Sequence, residues 1–270
     1  MTETLPQISV VIPARDEVIA LESLVAEVDA ALTGQAFEII VIDDGSTDGS
    51  QHLLTRLAAL NPRLRWLGNK TSIGQSASIR RGVRHARGAL IVTLDGDGQN
   101  PPDQIPALLV PFSLPGSASL GLVQGQREKR QDTAAKRIGS RLANAIRGWM
   151  LKDGVRDSGC GLKAFRREAY FDLPWFDHIH RFMPAMMLRE GWRVQTVSVS
   201  HRERVGGRSK YGNLSRALVG IPDLLGAAWL IRRAGPPRHP VQDAGAAPDA
   251  GVSRQVARQK ATYRPPRRRA

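Results

Sequence analysis

Three short apolar runs in the first hundred residues each end in a group of polar, turn-forming residues. They occupy 8–12, 37–42 and 89–94, and continuous apolar runs of this length are typical of strands buried on both faces of a parallel sheet. Apolar positions at helical spacing fill 18–32 and 53–60 between them. Strands that alternate with helices predict a doubly wound α/β sheet, whose strands end at one common edge.

Two of these strands lead directly into an acidic motif. The third strand leads into DGDGQN at 95–100, and the second leads into DDGSTDG at 43–49. Glycines let the first of these turns close tightly, so that Asp95, Asp97 and Gln99 converge. Because Mg²⁺ and Mn²⁺ prefer oxygen ligands and share them with substrate phosphates, we predict a metal-diphosphate site here. An isolated Asp-x-Asp is more often a surface turn, but the second acidic pair favours a site.

Later segments extend the sheet and its core. The run 120–125 predicts a strand that ends near Arg127, and 194–199 alternates like an edge strand. Residues 181–190 predict a helix with four apolar side chains in the core, namely Met183, Met186, Met187 and Leu188.

A further helix is predicted over 134–150. It groups polar residues on one face, namely Lys136, Ser140, Asn144 and Arg147. A basic, hydroxyl-bearing stripe suits a phosphate group. Charges at this spacing also form the solvated face of an ordinary amphipathic helix, so both interpretations stay open.

The apolar stretch 214–233 is interrupted by Arg216, Pro222 and Asp223, and only eight uncharged residues follow Asp223. A membrane-spanning helix needs about 20 apolar residues, so we predict no span here. Five apolar residues precede a pair of arginines, namely Leu224, Leu225, Ala228, Trp229 and Ile231. They fit an interfacial helix on a membrane or a membrane partner, and equally a packed core helix.

The chain of 270 residues has a net charge of +14, and more than half of this charge lies in residues 232–270. Residues 232–270 carry ten Lys or Arg against two Asp, a balance of +8, among many Pro, Gly and Ala. We therefore predict a disordered basic tail over 234–270. The body lacks the interleaved aromatics of nucleic-acid-binding proteins, and 13–17 lacks the glycine fingerprint of nicotinamide-binding enzymes, so we expect neither class and no nucleic-acid partner.

Taken together, these motifs resemble the family 2 glycosyltransferases, and most closely the branch of dolichol-phosphate mannosyltransferase and bacterial polyprenyl-phosphate glycosyltransferases. The resemblance covers about residues 6–233. It is carried by motifs in the family's order, namely VIPARDE (11–17), VIDDGSTDG (41–49), Asn69 with Gly74, DGDGQNPP (95–102), GQR (125–127), KRIGS (136–140), and Arg204 before SKY (209–211). It implies a GT-A fold, a Rossmann-like and mainly parallel sheet with flanking helices, in a catalytic domain over 6–210. It also implies a divalent cofactor, Mg²⁺ or Mn²⁺.

The resemblance implies roles for individual residues. The nucleotide-sugar site would comprise Pro13, Glu17, Asp43, Asp44 and Asp95. The metal would be bound by Asp95, Asp97 and Gln99. The acceptor phosphate would be bound by Arg127, Lys136, Arg137, Ser140, Arg204, Ser209 and Lys210. The catalytic residues would be Asp95, Asp97, Arg127 and Arg204. Arg15 and Asn100 depart from the family pattern and leave the donor preference open.

The expected acceptor follows from the segment 153–165. Relatives that glycosylate a hydroxyl place a Glu-Asp pair here, because a hydroxyl must lose a proton as it attacks. This segment has no such pair, and a lipid phosphate needs no base because it is already ionised. We expect metal-dependent, inverting hexosyl transfer from a nucleotide sugar of the GDP-mannose or UDP-glucose type to a polyprenyl phosphate, dolichyl or undecaprenyl. The alternative is a hydroxyl acceptor in polysaccharide synthesis, with Asp157 as the base.

A lipid acceptor implies a membrane surface. We expect a peripheral protein on the cytoplasmic face, held there by the segment 211–233 or by a small membrane partner protein, since many bacterial relatives carry C-terminal membrane spans instead. Residues 1–7 are polar and show no signal sequence, which agrees with a cytoplasmic location.

Overall fold

The computed structural model describes residues 5–127, 146–202 and 213–235, with the backbone alone over 213–219. Within them, seven strands form one mixed sheet in the order β3-β2-β1-β4-β6-β5-β7. The strands are β1 Ile8–Ala14, β2 Phe37–Asp43, β3 Leu64–Gly68, β4 Leu90–Thr93, β5 Leu120–Arg127, β6 Lys163–Arg166 and β7 Arg193–Val199. Neighbouring strands are parallel, except that β6 runs antiparallel to β4 and β5. The predicted α/β fold is confirmed.

Side chains of the central strands alternate between two cores, because successive residues of a strand point to opposite faces. On β1, Val10 and Ile12 belong to one core and Val11 belongs to the other, and all three are fully buried. Burial on both faces explains the continuous apolar runs of the sequence.

Helices cover both faces of the sheet. The first core is closed by α1 (Val18–Ala31), α2 (Ser50–Leu60) and α4 (Ile105–Leu109). The second core is closed by α3 (Gln75–His85), α5 (146–151), α6 (Arg167–Asp172), α7 (Met183–Arg189) and α8 (Asn213–Arg232). Short 3₁₀ helices occupy Pro102–Gln104, Val110–Ser113, Ser117–Ser119 and Ile179–Arg181.

One predicted core residue of helix α7 is exposed. Met183, Met186 and Met187 are buried as predicted. Leu188 is 41% exposed, so its predicted place in the core is wrong. A helix of seven residues makes fewer than two full turns, so only one side of it packs on the sheet. Leu188 lies on the side that faces away from the sheet.

Strand β6 is the main element that the apolar pattern did not reveal. Its four residues begin with a lysine and end with an arginine, so it lacks the apolar run of the other central strands. In the sheet, Lys163 lies opposite Thr93 of β4 on one side and Gln124 of β5 on the other. Tertiary structure therefore places a charged residue in the middle of the sheet.

Several predicted positions lie outside the described residues. They are the acceptor residues Lys136, Arg137, Ser140, Arg204, Ser209 and Lys210, together with nearly all of the basic tail. Arg147 is the described member of the predicted polar stripe, and its guanidinium pairs with Asp153 and donates to the carbonyl of Val155 at 3.1 Å. Arg147 therefore braces the chain after α5, and its side chain is only 12% exposed, which disagrees with a solvated face at this position.

Helix α8 divides its apolar residues between two environments. The side that packs on the second core is formed by Leu224, Ala227, Ala228, Leu230 and Ile231. The outer side carries Ile221, Leu225 and Trp229, which are 58%, 58% and 60% exposed and four residues apart; we call them the α8 stripe. The core-helix interpretation thus holds for one face, while the other face is exposed. Within the described ranges, no helix combines the length and apolar character needed to cross a membrane.

Candidate active site

A cleft of about 550 Å³ opens at the carboxyl ends of β1 and β4. Six of the predicted donor and metal residues line it, namely Pro13, Glu17, Asp44, Asp95, Asp97 and Gln99. Strand β1 lies between β2 and β4 and is parallel to both, so the three strand ends meet at one edge of the sheet. This is the edge at which open α/β sheets bind their ligands.

Asp44 organises the loop after β3. Its carboxylate accepts five hydrogen bonds of 2.6–3.1 Å, from Asn69 Nδ2, Ser72 Oγ, Ile73 N, Gly74 N and Ser78 Oγ. Burial by itself raises the pKa of Asp44, but these hydrogen bonds outweigh burial and hold the pKa below its usual range. Asp44 therefore stays ionised and fixes the loop that leads into α3.

Asp43 is fully buried at the end of β2 and is not among the residues that line the cleft. Its Oδ2 accepts hydrogen bonds from Gln51 Nε2 at 2.8 Å and from the backbone N–H of Ser46 at 3.3 Å. Its Oδ1 has no hydrogen-bond partner within the described part of the chain. Buried acceptors normally have donors, so this oxygen is an exception within the described residues.

The loops that follow β1 and β2 are tied to each other. Asp16 Oδ1 accepts the backbone N–H of Thr47 at 2.7 Å, and the backbone N–H of Asp16 donates to Ser46 Oγ at 2.8 Å. Asp48 Oδ2 accepts the N–H of Val18 at the start of α1. These bonds hold Glu17, the residue just before α1, at the cleft.

Asp95 follows β4, and hydrogen bonds stabilise the charge of its carboxylate only in part. Gln75 Nε2 donates to its Oδ1 at 2.8 Å, and Asn100 Nδ2 donates to its Oδ2 at 3.3 Å. Burial raises the pKa of Asp95, and repulsion by the charge of Asp97 raises it further, although nearby cations oppose this effect. Two carboxylates that repel each other in a cleft are stabilised by a bound cation.

Asp97 and Gln99 complete the turn. Asp97 Oδ1 accepts the backbone N–H of Gln99 at 3.0 Å, and Gly98 between them has φ 73°, which favours glycine. No group of three or more His, Cys, Asp or Glu side chains in the described ranges is arranged to hold a metal ion. The set of Asp95, Asp97 and Gln99 still fits Mg²⁺ or Mn²⁺, because such ions take one or two carboxylates and complete their shell with phosphate oxygens and water.

The loop 157–161 lies directly against Asp95. A Cβ atom at Gly161 would stand 2.3–2.5 Å from the carboxylate atoms of Asp95. The carbonyl of Gly161 also accepts a hydrogen bond from Thr93 Oγ1 at 3.0 Å, which joins the loop to β4. Glycine is therefore the residue that lets this loop close on the acidic site.

Arg127 ends β5 beside this loop. Asp157 holds its guanidinium through two hydrogen bonds, from Nε to Oδ2 at 2.6 Å and from Nη2 to Oδ1 at 2.8 Å. These bonds raise the pKa of Arg127. Its charge also acts on Asp95 and lowers the pKa of that carboxyl. A residue predicted for the acceptor thus belongs to the same electrostatic cluster as a residue predicted for the metal.

Sequence reasoning missed three cationic or titratable residues of the cleft, namely Lys163, His180 and Arg181. His180 Nδ1 lies 2.7 Å from Ser76 Oγ, and burial keeps the pKa of His180 well below its ordinary value, so the ring is neutral. These residues follow no acidic motif, and β6 and a 3₁₀ turn bring them to the cleft. For Lys163, the sequence offers one indication, namely that this lysine lies inside an otherwise apolar run, GCGLKAF at 159–165.

Known proteins with similar sequences share most of this chain. The family model described as glycosyl transferase family 2 matches residues 9–173. The undecaprenyl-phosphate 4-deoxy-4-formamido-L-arabinose transferase of Aeromonas hydrophila is 36% identical over 208 residues, which are 76% of this chain and 63% of that protein. The dodecaprenyl-phosphate galacturonate synthase of Rhizobium johnstonii is 32% identical over 248 residues, which are 86% of this chain and 70% of that protein. The chain spans a little less than two thirds of the first of these relatives.

Solved structures show the same fold. Glucosyl-3-phosphoglycerate synthase of Mycobacterium tuberculosis, in complex with Mn²⁺ and UDP-glucose, has a TM-score of 0.64 at 21% identity, covering 83% of this chain and 80% of that one. A mannosyltransferase of Pyrobaculum calidifontis, in complex with GDP-mannose and Mn²⁺, has a TM-score of 0.57 at 19% identity, covering 96% and 80%. At these identities the likeness establishes the fold alone. The family match covers more than half of the sequence and confirms the resemblance predicted above, and this chain belongs to glycosyl transferase family 2.

Proposed function

We propose that this protein transfers a sugar from a nucleotide sugar to a polyprenyl phosphate, with inversion at the anomeric carbon. The observation that carries the proposal is the arrangement of charge in the site. Carboxylates follow β4, and the guanidinium of Arg127 at the end of β5 acts on the same cluster. An acidic site beside a basic one fits a cation-bound diphosphate that departs and an anionic acceptor that attacks.

On the donor side, the carboxylates of Asp95 and Asp97 and the amide of Gln99 would hold Mg²⁺ or Mn²⁺. A cation bound there would neutralise the charge that develops on the departing diphosphate. Asp43 would support the loop beside the nucleotide through the hydrogen bonds that it accepts from Ser46 and Gln51. Pro13 and Glu17 would line the nucleotide pocket, while Asp44 would hold the loop beside it.

On the acceptor side, the guanidinium of Arg127 would bind the phosphate, helped by the predicted residues outside the described ranges. Asp157 makes two hydrogen bonds to Arg127, an arrangement that orients a cation. An ionised phosphate needs no base, so catalysis would depend on positioning and on neutralisation of charge.

The relatives support both substrates. Their names specify undecaprenyl phosphate and dodecaprenyl phosphate as the lipids on which they act. The structures of similar fold contain UDP-glucose or GDP-mannose together with Mn²⁺. We therefore extend a nucleotide-sugar donor, a divalent cation and a polyprenyl-phosphate acceptor to this chain.

The direct test is incubation of the purified protein with Mg²⁺ or Mn²⁺, undecaprenyl or dolichyl phosphate, and a panel of nucleotide sugars. A new glycolipid is expected, and its formation should stop when the cation is chelated. The corresponding polyprenol, which carries a hydroxyl in place of the phosphate, is the matched control and should not react. Transfer to the polyprenol or to a sugar hydroxyl would overturn the proposal in favour of a hydroxyl acceptor.

Asp157→Asn separates the two acceptor chemistries. In our proposal the substitution loosens Arg127 without removing a base, so the acceptor KM should rise about tenfold while kcat changes less. A loss of several orders of magnitude in kcat, with acceptor binding intact, would instead identify Asp157 as a general base.

We also propose that the α8 stripe rests on an anionic membrane surface, as expected for the cytoplasmic face. Tryptophan and aliphatic side chains favour the headgroup region, and Trp229 is 60% exposed. Arg232 and Arg233 follow the stripe and are exposed, which adds attraction to anionic lipid. A small membrane partner protein is the alternative anchor.

Flotation with vesicles of phosphatidylglycerol and phosphatidylcholine tests this docking. Replacing the three residues of the α8 stripe by Ser should leave most of the protein unbound. Ile19→Ser with Leu60→Ser is the matched control, because these residues are 67% and 78% exposed on helices that cover the opposite face of the sheet. Equal flotation of both variants, or none by the unmodified protein, would contradict direct docking.

A further inference from the structure

Lys163 is a buried cation to which the proposed reaction gives no role. It is 3% exposed and begins β6, between Thr93 of β4 and Gln124 of β5. Its ammonium donates a hydrogen bond to the backbone carbonyl of Cys160, and its side chain lines the cleft. Lysines are almost never fully buried without opposite charges nearby, so the surroundings of this one are informative.

Charged groups of both halves of the site act on this ammonium. Burial lowers the pKa of Lys163, while the charges of Asp95 and Asp157 favour its cationic form and Arg127 opposes it. Lys163 in turn lowers the pKa of Asp95. The ammonium therefore interacts with a carboxylate of the proposed metal site and with the carboxylate that holds the acceptor arginine.

The same side chain fixes the loop 157–161. The carbonyl of Cys160 accepts hydrogen bonds from Lys163 and from Gln124 Nε2, the latter at 3.2 Å. Gln124 Nε2 also lies 3.4 Å from the carbonyl of Asp157. The loop ends at Gly161, directly against Asp95. Lys163 thus holds the loop that carries Asp157 at one end and contacts the acidic site at the other.

We propose that Lys163 is a positioning residue that joins the donor and acceptor halves of the transfer reaction. In its cationic form the ammonium lets an anionic acceptor approach an acidic donor site, and its hydrogen bond to the carbonyl of Cys160 keeps Asp157, and through it Arg127, in place. The reaction that Lys163 serves is the one proposed above, so this role rests on that function.

Mn²⁺ affinity and the acceptor KM test this role. Lys163→Met removes an ammonium whose charge acts on Asp95, so Mn²⁺ alone should bind about tenfold more tightly at neutral pH, as measured by electron paramagnetic resonance of free Mn²⁺. Transfer should nevertheless fall about a hundredfold, mainly through a higher acceptor KM. Tighter metal binding with weaker transfer is a combination that general loosening of the site would not produce.

Arg166→Met is the matched control, because Arg166 lies at the other end of the same four-residue strand. Its guanidinium donates to the carbonyls of Leu120 and Ser117 at 3.0 Å, away from the cleft. This variant should lose stability without a change in Mn²⁺ affinity. Lys163→Arg keeps the charge, and it should retain the Mn²⁺ affinity of the unmodified protein and most of its transfer activity.

Unchanged or weaker Mn²⁺ binding by folded Lys163→Met would overturn the proposal, and so would full transfer activity. If thermal unfolding shows that Lys163→Met does not fold, Lys163→Gln makes the same comparison, since it keeps a hydrogen-bond donor and removes the charge. The Mn²⁺ measurement needs no acceptor. Failure of the unmodified protein to form any glycolipid would therefore count against the proposed function, while the Mn²⁺ result would still decide the role of the Lys163 charge.

Discussion

Asp44 and Asp95 lie at the same edge of the sheet, and their surroundings give them opposite properties. Asp44 accepts five hydrogen bonds, and they hold its pKa low in spite of burial. Asp95 accepts two, and burial together with Asp97 raises its pKa. The carboxylate of Asp44 has all the hydrogen-bond donors that it needs. The carboxylate of Asp95 keeps negative charge that a bound cation can neutralise.

The difference shows that a strand-end aspartate in this fold becomes structural when the following loop surrounds it with donors. The loop 69–78 supplies backbone N–H, hydroxyl and amide groups to Asp44. The turn after β4 contains glycines and a second carboxylate, and it gives Asp95 few donors. We therefore expect substitutions at Asp95 to affect chemistry first and those at Asp44 to affect stability first.

The largest effect is expected for Asp95→Asn. It removes a charge from the proposed metal site, so sugar transfer should fall about a thousandfold or more. The fold should be retained, because repulsion between Asp95 and Asp97 is relieved. Transfer assays and thermal unfolding of the same preparation measure both effects. Near-normal transfer, or a large loss of stability, would reverse the roles assigned to the two aspartates.

Gly161→Ala should come next, because it crowds Asp95 without changing any charge. The added methyl would lie 2.3–2.5 Å from the carboxylate, so transfer should fall about ten- to a hundredfold as Asp95 or the loop moves. Gly159→Ala is the control, since its Cβ would be 3.9 Å from both Arg127 Nη2 and Asp157 Oδ1 and should change transfer by no more than about threefold. Similar losses in both variants would mean that the whole loop, and not its contact with Asp95, is sensitive.

Asp44→Asn should mainly cost stability. An amide cannot accept all five hydrogen bonds, and its NH₂ group would face donors, so the free energy of unfolding should drop by about 3 kcal/mol. Urea denaturation measures this loss, and transfer at low temperature should fall by less than it does in Asp95→Asn. A stable protein with abolished transfer would show that Asp44 contacts the substrate.

The smallest effect, the pH dependence of stability, should have opposite signs at the two sites. The pKa of Asp44 is lower in the folded state than its unfolded value of about 3.9, so its contribution is present above about pH 4 and is lost as the pH falls through the folded pKa. The pKa of Asp95 is higher in the folded state, so stability falls as the pH rises from about 4 through that pKa.

Urea unfolding from about pH 3 to 7 should therefore show two different changes of slope. Asp44→Asn should lose the rise in stability with pH on the acid side, and Asp95→Asn should lose the fall that follows it. Profiles that match the unmodified protein in both variants would contradict the two assigned shifts. Adding Mn²⁺ should restore stability at higher pH in the unmodified protein and not in Asp95→Asn.

Much of the donor half of the site was accessible from the sequence. Buried strands of a parallel sheet have apolar runs, so their ends at 43 and 95 could be located from the chain alone. Parallel strands also end at one edge, which predicted that these carboxylates meet at one cleft. The distinction between Asp43, Asp44 and Asp95 could not be predicted, because it depends on which donors the later loops bring to each carboxylate.

Local periodicity and short motifs are enough to predict the alternation of strands and helices, the acidic edge of the sheet and the family. Three features follow only from the folded chain: β6 inserts antiparallel between β4 and β5, Lys163 is buried where the charges of Asp95, Asp157 and Arg127 act on it, and one face of α8 is covered while the other is exposed. These features arise from contacts between segments far apart in the chain, where a charged or short element is stabilised by partners that its own sequence does not reveal.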